Sequence, residues 1–162
     1  EESKEKESFQ WKAEEGTVGV LSLWIQDVEV KYKVFDDIIT KLSLFKDIIN
    51  KRFENKSLHI TRKDGFVIKL RDGSALSPEF LSSGEQHEIV LNYELLFNTE
   101  PGELILIDEP EISLHVIWQR EFLDDIERIA QLSDLRVVVA THSPEIMGER
   151  GSDAIALINK VA

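Results

Sequence analysis

Residues 104–147 read LILIDEPEISLHVIWQREFLDDIERIAQLSDLRVVVATHSPEIM. LILI at the front is a short, wholly apolar run of the kind buried on both faces of a parallel sheet, and RVVVA at 136–140 is a second. Between them Trp118, Phe122, Ile126 and Ile129 recur at helical spacing, so residues 115–132 read as an amphipathic helix. SPEIM opens another helix, with Ser143 as cap and Pro144 in its first position. AIALI at 154–158 reads as a third strand. Strand, helix, strand, helix, strand in this order predicts an α/β fold with a parallel sheet and right-handed crossovers.

Upstream, Ile38, Leu42, Phe45 and Ile49 fall on one face of a helix over about 20–53. SLHIT and FVIKL flank RKDG, whose Asp64-Gly65 pair suits a hairpin turn. RDGSALSPEF is loop, and HEIVLNYELLFNT carries Ile89, Tyr93, Leu96 and Phe97 at helical spacing before stopping at Pro101-Gly102. The charged, poorly periodic residues 1–19 read as a disordered or fraying end. Residues 20–75 are then a helical arm and β-hairpin, and 76–162 an α/β lobe.

Composition sets bounds on partners and surroundings. The 162 residues are 42% apolar and 31% charged, as expected of one soluble globular domain or a large piece of one. The chain begins at Glu1 and its single methionine is Met147, so a processed chain or a fragment is expected. The lack of cysteine excludes disulfides and thiolate metal sites. No signal segment or membrane-length apolar run is legible, which makes the cytoplasm the expected location. The net charge of −12 opposes a polyanion hugging the whole chain. Yet residues 41–71 carry nine Lys and Arg against three acids, and residues 100–127 nine acids against Arg120 alone. The basic stretch reads either as a solvated face or as a patch for a partner such as DNA.

LSSGEQ, residues 81–86, places small hydrogen-bonding groups at a helix start. Unpaired opening amides there favour an anion such as phosphate. A capping box offers the alternative, Ser82 with Glu85 or Ser83 with Gln86. The two buried strands end in Asp108-Glu109-Pro110 and Thr141-His142-Ser143. At carboxyl ends of parallel strands such groups gather function. Asp108 can hold a hydrated Mg²⁺ while Glu109 orients an attacking water, and His142 can donate a hydrogen bond to a terminal phosphate. The competing reading is a solvated strand end that caps the next turn, with His142 an ordinary loop residue.

LSSGEQ, LILIDEPEISLH and VVVATHSPEIM, in that order, resemble the C-terminal half of an ABC-type ATPase head of the SMC, RecF and OLD-like branch, over about Leu76 to Ile158. The resemblance implies the C-terminal lobe of a parallel-sheet P-loop NTPase, preceded by a long helix and a β-hairpin. It makes Ser82, Ser83, Gly84, Glu85 and Gln86 the signature that contacts the γ-phosphate held by a second head. It makes Asp108 the Mg²⁺ ligand, Glu109 the catalytic carboxylate and His142 the switch histidine, with ATP and Mg²⁺ as cofactors. Ser83 stands where the signature usually has glycine, and EISLH replaces the usual loop with its aspartate, leaving coupling between heads to His115 or to backbone, although His115 reads first as a plain helix start. No GxxxxGK[ST] pattern occurs, so hydrolysis by this chain alone is not expected. The implied partners are a P-loop lobe of the same or another chain, a second head, DNA, and a nuclease or other effector, in DNA maintenance or antiviral defence. The alternative is a non-catalytic ATPase-like module for dimerisation or effector docking; a stand-alone metal hydrolase lacks clustered ligands.

Overall fold

The computed structural model describes residues 15–155, in two units, residues 1–39 and 40–162. Helix α1 runs Glu15–Arg52 and so supplies the first unit and the start of the second. It begins five residues before the expected arm, so residues 15–19 are helical; residues 1–14 lie outside the described part. No helix among the described residues is long and apolar enough to cross a membrane.

The second unit opens with the last turns of α1, followed by hairpin strands β1 (Lys56–Thr61) and β2 (Gly65–Leu70), paired antiparallel with Thr61 opposite Gly65. Gly65 takes the positive φ of 68° that the turn demands. A two-residue strand β3 (Ala75–Leu76) and a 3₁₀ turn over Pro78–Phe80 occupy the stretch expected to be plain loop. Next come α2 (Ser83–Phe97), β4 (Leu104–Asp108), a 3₁₀ turn (Pro110–Ser113), α3 (Val116–Ser133), β5 (Arg136–Ala140) and the short α4 (Pro144–Met147). β4 and β5 pair in parallel, Leu104 opposite Arg136 and Asp108 opposite Ala140, with α3 between them in the chain. The expected third strand is not formed at Ala154–Ile155, and 156–158 lie outside the described residues.

The second unit begins at Thr40, and the hairpin shares its core. Leu58 of β1 and Ile68 of β2 are buried with Phe45, Ile48 and Ile49 of α1, Leu96 of α2, Ile107 of β4 and Ile129 of α3. Each such side chain stabilises the fold by about 1.5–3 kcal/mol. Phe45, Phe66, Tyr93 and Phe97 meet largely edge to face, joining α1, β2 and α2.

At the centre of this apolar packing lies a polar knot. The Arg52 guanidinium, 1% exposed, donates to Asp125 of α3 and to the Trp118 carbonyl at 2.7 Å, and its Nε lies 3.4 Å from the Glu88 carboxylate of α2. Lys56 completes the root of the hairpin by binding Glu85 at 2.7 Å. Three of the nine basic residues in 41–71, namely Lys51 with Glu121, Arg52 and Lys56, are thus spent on contacts within the lobe.

β4 and β5 present two unlike faces. Ile105, Ile107, Val137 and Val139 turn toward the helices and belong to the core or its margin, whereas Leu104, Leu106 and Val138 are more than half exposed. Parallel strands are ordinarily covered on both sides, so this pair presents an open apolar face.

Candidate functional site

The first turn of α2 carries residues 82–86. Ser82 is the N-cap: its hydroxyl accepts from the Glu85 amide at 3.3 Å, and the Glu85 carboxylate accepts from the Ser82 amide at 2.9 Å. The capping box is therefore real, in the Ser82–Glu85 register. It does not use up the helix start, because the Ser82 hydroxyl proton and the amides of Ser83 and Gly84 have no intrahelical acceptor. Burial raises the Glu85 carboxyl, but Lys56 and the Ser82 donors outweigh it and hold the group below its ordinary value. Lys56 thereby offsets a negative charge that would repel an anion at this helix end. Gln86 donates to the Pro78 carbonyl at 3.0 Å, tying the approach segment down.

Gly84 has a packing reason of its own. A Cβ built there meets the Ser113 carbonyl oxygen at 2.7 Å and the Trp118 ring at 3.7 Å. The first turn of α2 thus rests backbone to backbone on the 3₁₀ turn that follows Asp108 and Glu109. Any side chain at this position forces the two segments apart.

The parallel pair ends in the carboxylate cluster. Glu109 adopts φ 45°, ψ 52°, a left-handed conformation that costs a non-glycine residue about 1–3 kcal/mol and recurs at functional sites. Its amide donates to the Ala140 carbonyl at 2.8 Å, locking the end of β4 to the end of β5. That turn brings the Glu109 carboxylate to 3.7 Å from His142 Nε2, both side chains open to solvent. Asp108 is exposed beside them.

Glu111, to which sequence reasoning assigned no part, holds the two strand ends together. Its carboxylate accepts from the Thr141 hydroxyl at 2.8 Å and the His142 amide at 2.7 Å. Burial pushes this group up, but the amides of Glu111, His142 and Ser143 and the Thr141 hydroxyl outweigh it, so its carboxyl sits below the ordinary range. Gln119, buried on α3, supports the same loops: its amide nitrogen reaches the Leu114 carbonyl at 3.1 Å and its oxygen accepts from Ser143 at 2.7 Å. Ser143 in turn caps α4 through the Ile146 amide, as expected, and His115, expected as a plain helix start, caps α3 by accepting from the Ile117 amide. The only trace of Glu111's role in the sequence is an acid shortly after one strand end and a Thr-His-Ser after the other.

Among the described residues, Glu109 and His142 are brought together and Asp108 precedes Glu109 at the end of β4, whereas no hydrogen bond or ion pair joins them to residues 82–86. An open groove of about 600 Å³ runs between α2 and β4, with His87 on one wall and Asp108 and Glu109 at one end. No group of three or more His, Cys, Asp or Glu among the described residues is placed to hold a metal ion. A single carboxylate with water and phosphate oxygens is a normal Mg²⁺ environment, so Asp108 fits that ion better than one needing an all-protein cage.

Residues 26–148 match the family described as AAA domain, putative AbiEii toxin, type IV TA system, and the chain belongs to that family. Among curated relatives, the molybdenum import ATP-binding protein ModC of Pseudomonas aeruginosa is 35% identical over 82 residues, 51% of this chain and 22% of the relative. The phosphonates import ATP-binding protein PhnC of Lactococcus lactis subsp. cremoris is 25% identical over 119 residues, 74% of this chain and 47% of the relative. The chain thus spans less than half the length of either. Among solved structures, an Smc head bound to the C-terminal winged-helix domain of ScpA aligns at TM-score 0.47 and 18% identity, covering 65% of this chain and 35% of that one. A structure from work on ATP-driven dimerisation of SMC ATPases aligns at TM-score 0.44 and 18% identity, covering 71% and 75%.

Proposed function

We propose that this chain is the C-terminal portion of an ABC-type ATPase that binds and hydrolyses ATP and closes as a dimer of heads around it. The observation that carries the reading is Glu109: a carboxylate held in a strained left-handed turn at the end of a parallel strand, 3.7 Å from His142 on the neighbouring strand end. Membership in a family of AAA domains and the ATP-binding relatives support it.

In this reading Glu109 orients water for in-line attack and accepts its proton. His142 donates to the terminal phosphate, and Glu111 and Ala140 keep the two side chains in register. The Ser82 hydroxyl and the first amides of α2 bind the γ-phosphate held by the other head. Asp108 would hold Mg²⁺, which supplies charge neutralisation at the phosphate oxygens. A P-loop lobe, from the same polypeptide or another, lies over the open face marked by Leu104, Leu106 and Val138. The setting is cytoplasmic, in DNA maintenance or antiviral defence, with a nuclease or other effector as companion; the type IV toxin–antitoxin wording of the family description favours defence.

This division of labour predicts no ATP turnover by residues 1–162 alone. Turnover should appear only in the full-length protein with its P-loop lobe. Hydrolysis by the isolated chain that Glu109→Gln abolishes would contradict the assignment of the primary nucleotide site to another lobe.

The hairpin contributes the DNA part of the proposal. Arg62, Lys63, Lys69 and Arg71 form no ion pair among the described residues, unlike Lys51, Arg52 and Lys56. Replacing Lys63, Lys69 and Arg71 by glutamate in the full-length protein is expected to weaken DNA binding. It should also lower the slope of log affinity against log salt by about one per lost phosphate contact. An unchanged slope returns the hairpin to a solvated face.

A further inference from the structure

The start of α2, proposed above to meet a phosphate, already carries an anion of its own. Glu85, in the third position of the helix, lays its carboxylate back on the Ser82 amide at 2.9 Å, so a negative charge sits beside the hydroxyl and amides in question. Left alone, that charge repels a γ-phosphate and cancels the attraction of the helix start. Lys56 stands on it: its Nζ lies 2.7 Å from each of the two carboxylate oxygens, with the Lys56 and Glu85 side chains only 20% and 10% exposed. The backbone puts the ammonium there. Asn55, in the left-handed region at φ 61°, turns the chain from α1 into β1, so that Lys56 opens the hairpin at its root with Nζ 5.8 Å from the centre of the Phe53 ring. The next acid along α2, Glu88, meets Arg52 instead, so each of the two acids has its own cation.

We infer that Lys56 is a positioning residue for ATP-driven closure: by neutralising Glu85 it leaves the start of α2 with a net attraction for the γ-phosphate held by the other head. The inference rests on the proposal that the LSSGEQ turn meets that phosphate, and adds the residue that sets how strongly it does so. Glutamine at position 85 would close the same capping box without charge, since either side chain returns an acceptor to the N-cap amide. The charge at the site can therefore be varied while the cap is kept. Removing the cation leaves the acid to repel phosphate, removing both restores neutrality, and removing the acid alone leaves a surplus positive charge.

The test uses the full-length protein carrying Glu109→Gln as reference, so that ATP is not consumed. The measured quantity is the ATP concentration that gives half-maximal retention of nucleotide per head after gel filtration. Lys56→Met, which keeps most of the apolar stem, should raise that concentration about three- to tenfold. Adding Glu85→Gln should return it to within about twofold of the reference, and Glu85→Gln alone should lower it. Lys56→Arg keeps the charge and should stay within about twofold. The Lys56→Met difference should also shrink as salt is raised, because partly open charges are screened. An unchanged ATP requirement in Lys56→Met overturns the inference. A rise that Glu85→Gln does not reverse overturns it too, by making Lys56 a packing residue of the hairpin root. Should circular dichroism show that Lys56→Met has lost its fold, Glu85→Gln alone decides: a lowered ATP requirement supports the inference and no lowering overturns it. A reference protein that retains no ATP contradicts the nucleotide sandwich itself, which is a different failure from a Lys56 effect that is absent while the reference retains ATP.

Discussion

Arg52→Ala is expected to lower the stability of the lobe by about 3–5 kcal/mol, read from the midpoint and slope of urea unfolding. Arg52 is the cation shared by two buried carboxylates, Glu88 on α2 and Asp125 on α3, of which Asp125 also meets Arg128 at 3.3 Å, and it caps the Trp118 carbonyl. Removing it leaves Glu88 buried without its cation and facing Asp125, which keeps Arg128 alone. Burial already raises the Glu88 carboxyl above its ordinary value, with Arg52 and Asn92 pulling it down and Asp125 pushing it up. A raised carboxyl stabilises the fold in acid, and that stabilisation is lost as pH rises through the folded-state value. Without Arg52 the value rises further, so the loss in Arg52→Ala should deepen from pH 5 toward pH 8. A pH-independent loss of less than about 1 kcal/mol would mean that the knot is hydrated and contributes as a surface pair does.

Glu109→Gln should reduce ATP turnover of the full-length protein by about 10²–10⁴-fold, the usual contribution of a general base. The amide keeps the shape of the side chain and its reach toward His142 but cannot accept the water's proton. Nucleotide binding should be retained, since the phosphate contacts proposed for Ser82 and the α2 amides are untouched. A turnover within about twofold of the parent would move the base elsewhere.

How much of this could be read from the chain depended on the range of the interaction. The parallel pair was legible because LILI and RVVVA are apolar runs too short for helices, with a helix of clear period between them. The hairpin was legible because Asp64-Gly65 meets the backbone demand of its turn locally. Glu109, His142 and Asp108 were legible as strand ends, since the sequence order of a parallel fold places them at one edge. Glu111 was not, because its partners Thr141 and His142 are 30 or so positions away and an acid after a proline has many uses. Arg52 was counted among a basic face for the same reason: a charge pattern cannot show that three helices converge on one guanidinium. The place of the hairpin in the lobe's core was hidden for a related cause, since Leu58 and Ile68 alternate as any hairpin does and only packing shows whose core they join.

The central claim is that Glu109 acts within a nucleotide sandwich whose second side is the LSSGEQ turn. The most direct measurement is the ATP retained per head after gel filtration of the full-length protein carrying Glu109→Gln, with and without Ser82→Arg. Glu109→Gln should trap ATP in a closed pair of heads and retain close to one nucleotide per head. Adding Ser82→Arg puts a bulky side chain where the other head's γ-phosphate must sit, so retention should fall to background. Equal retention by the two proteins would contradict the account and leave Ser82 and Glu85 as a helix cap alone.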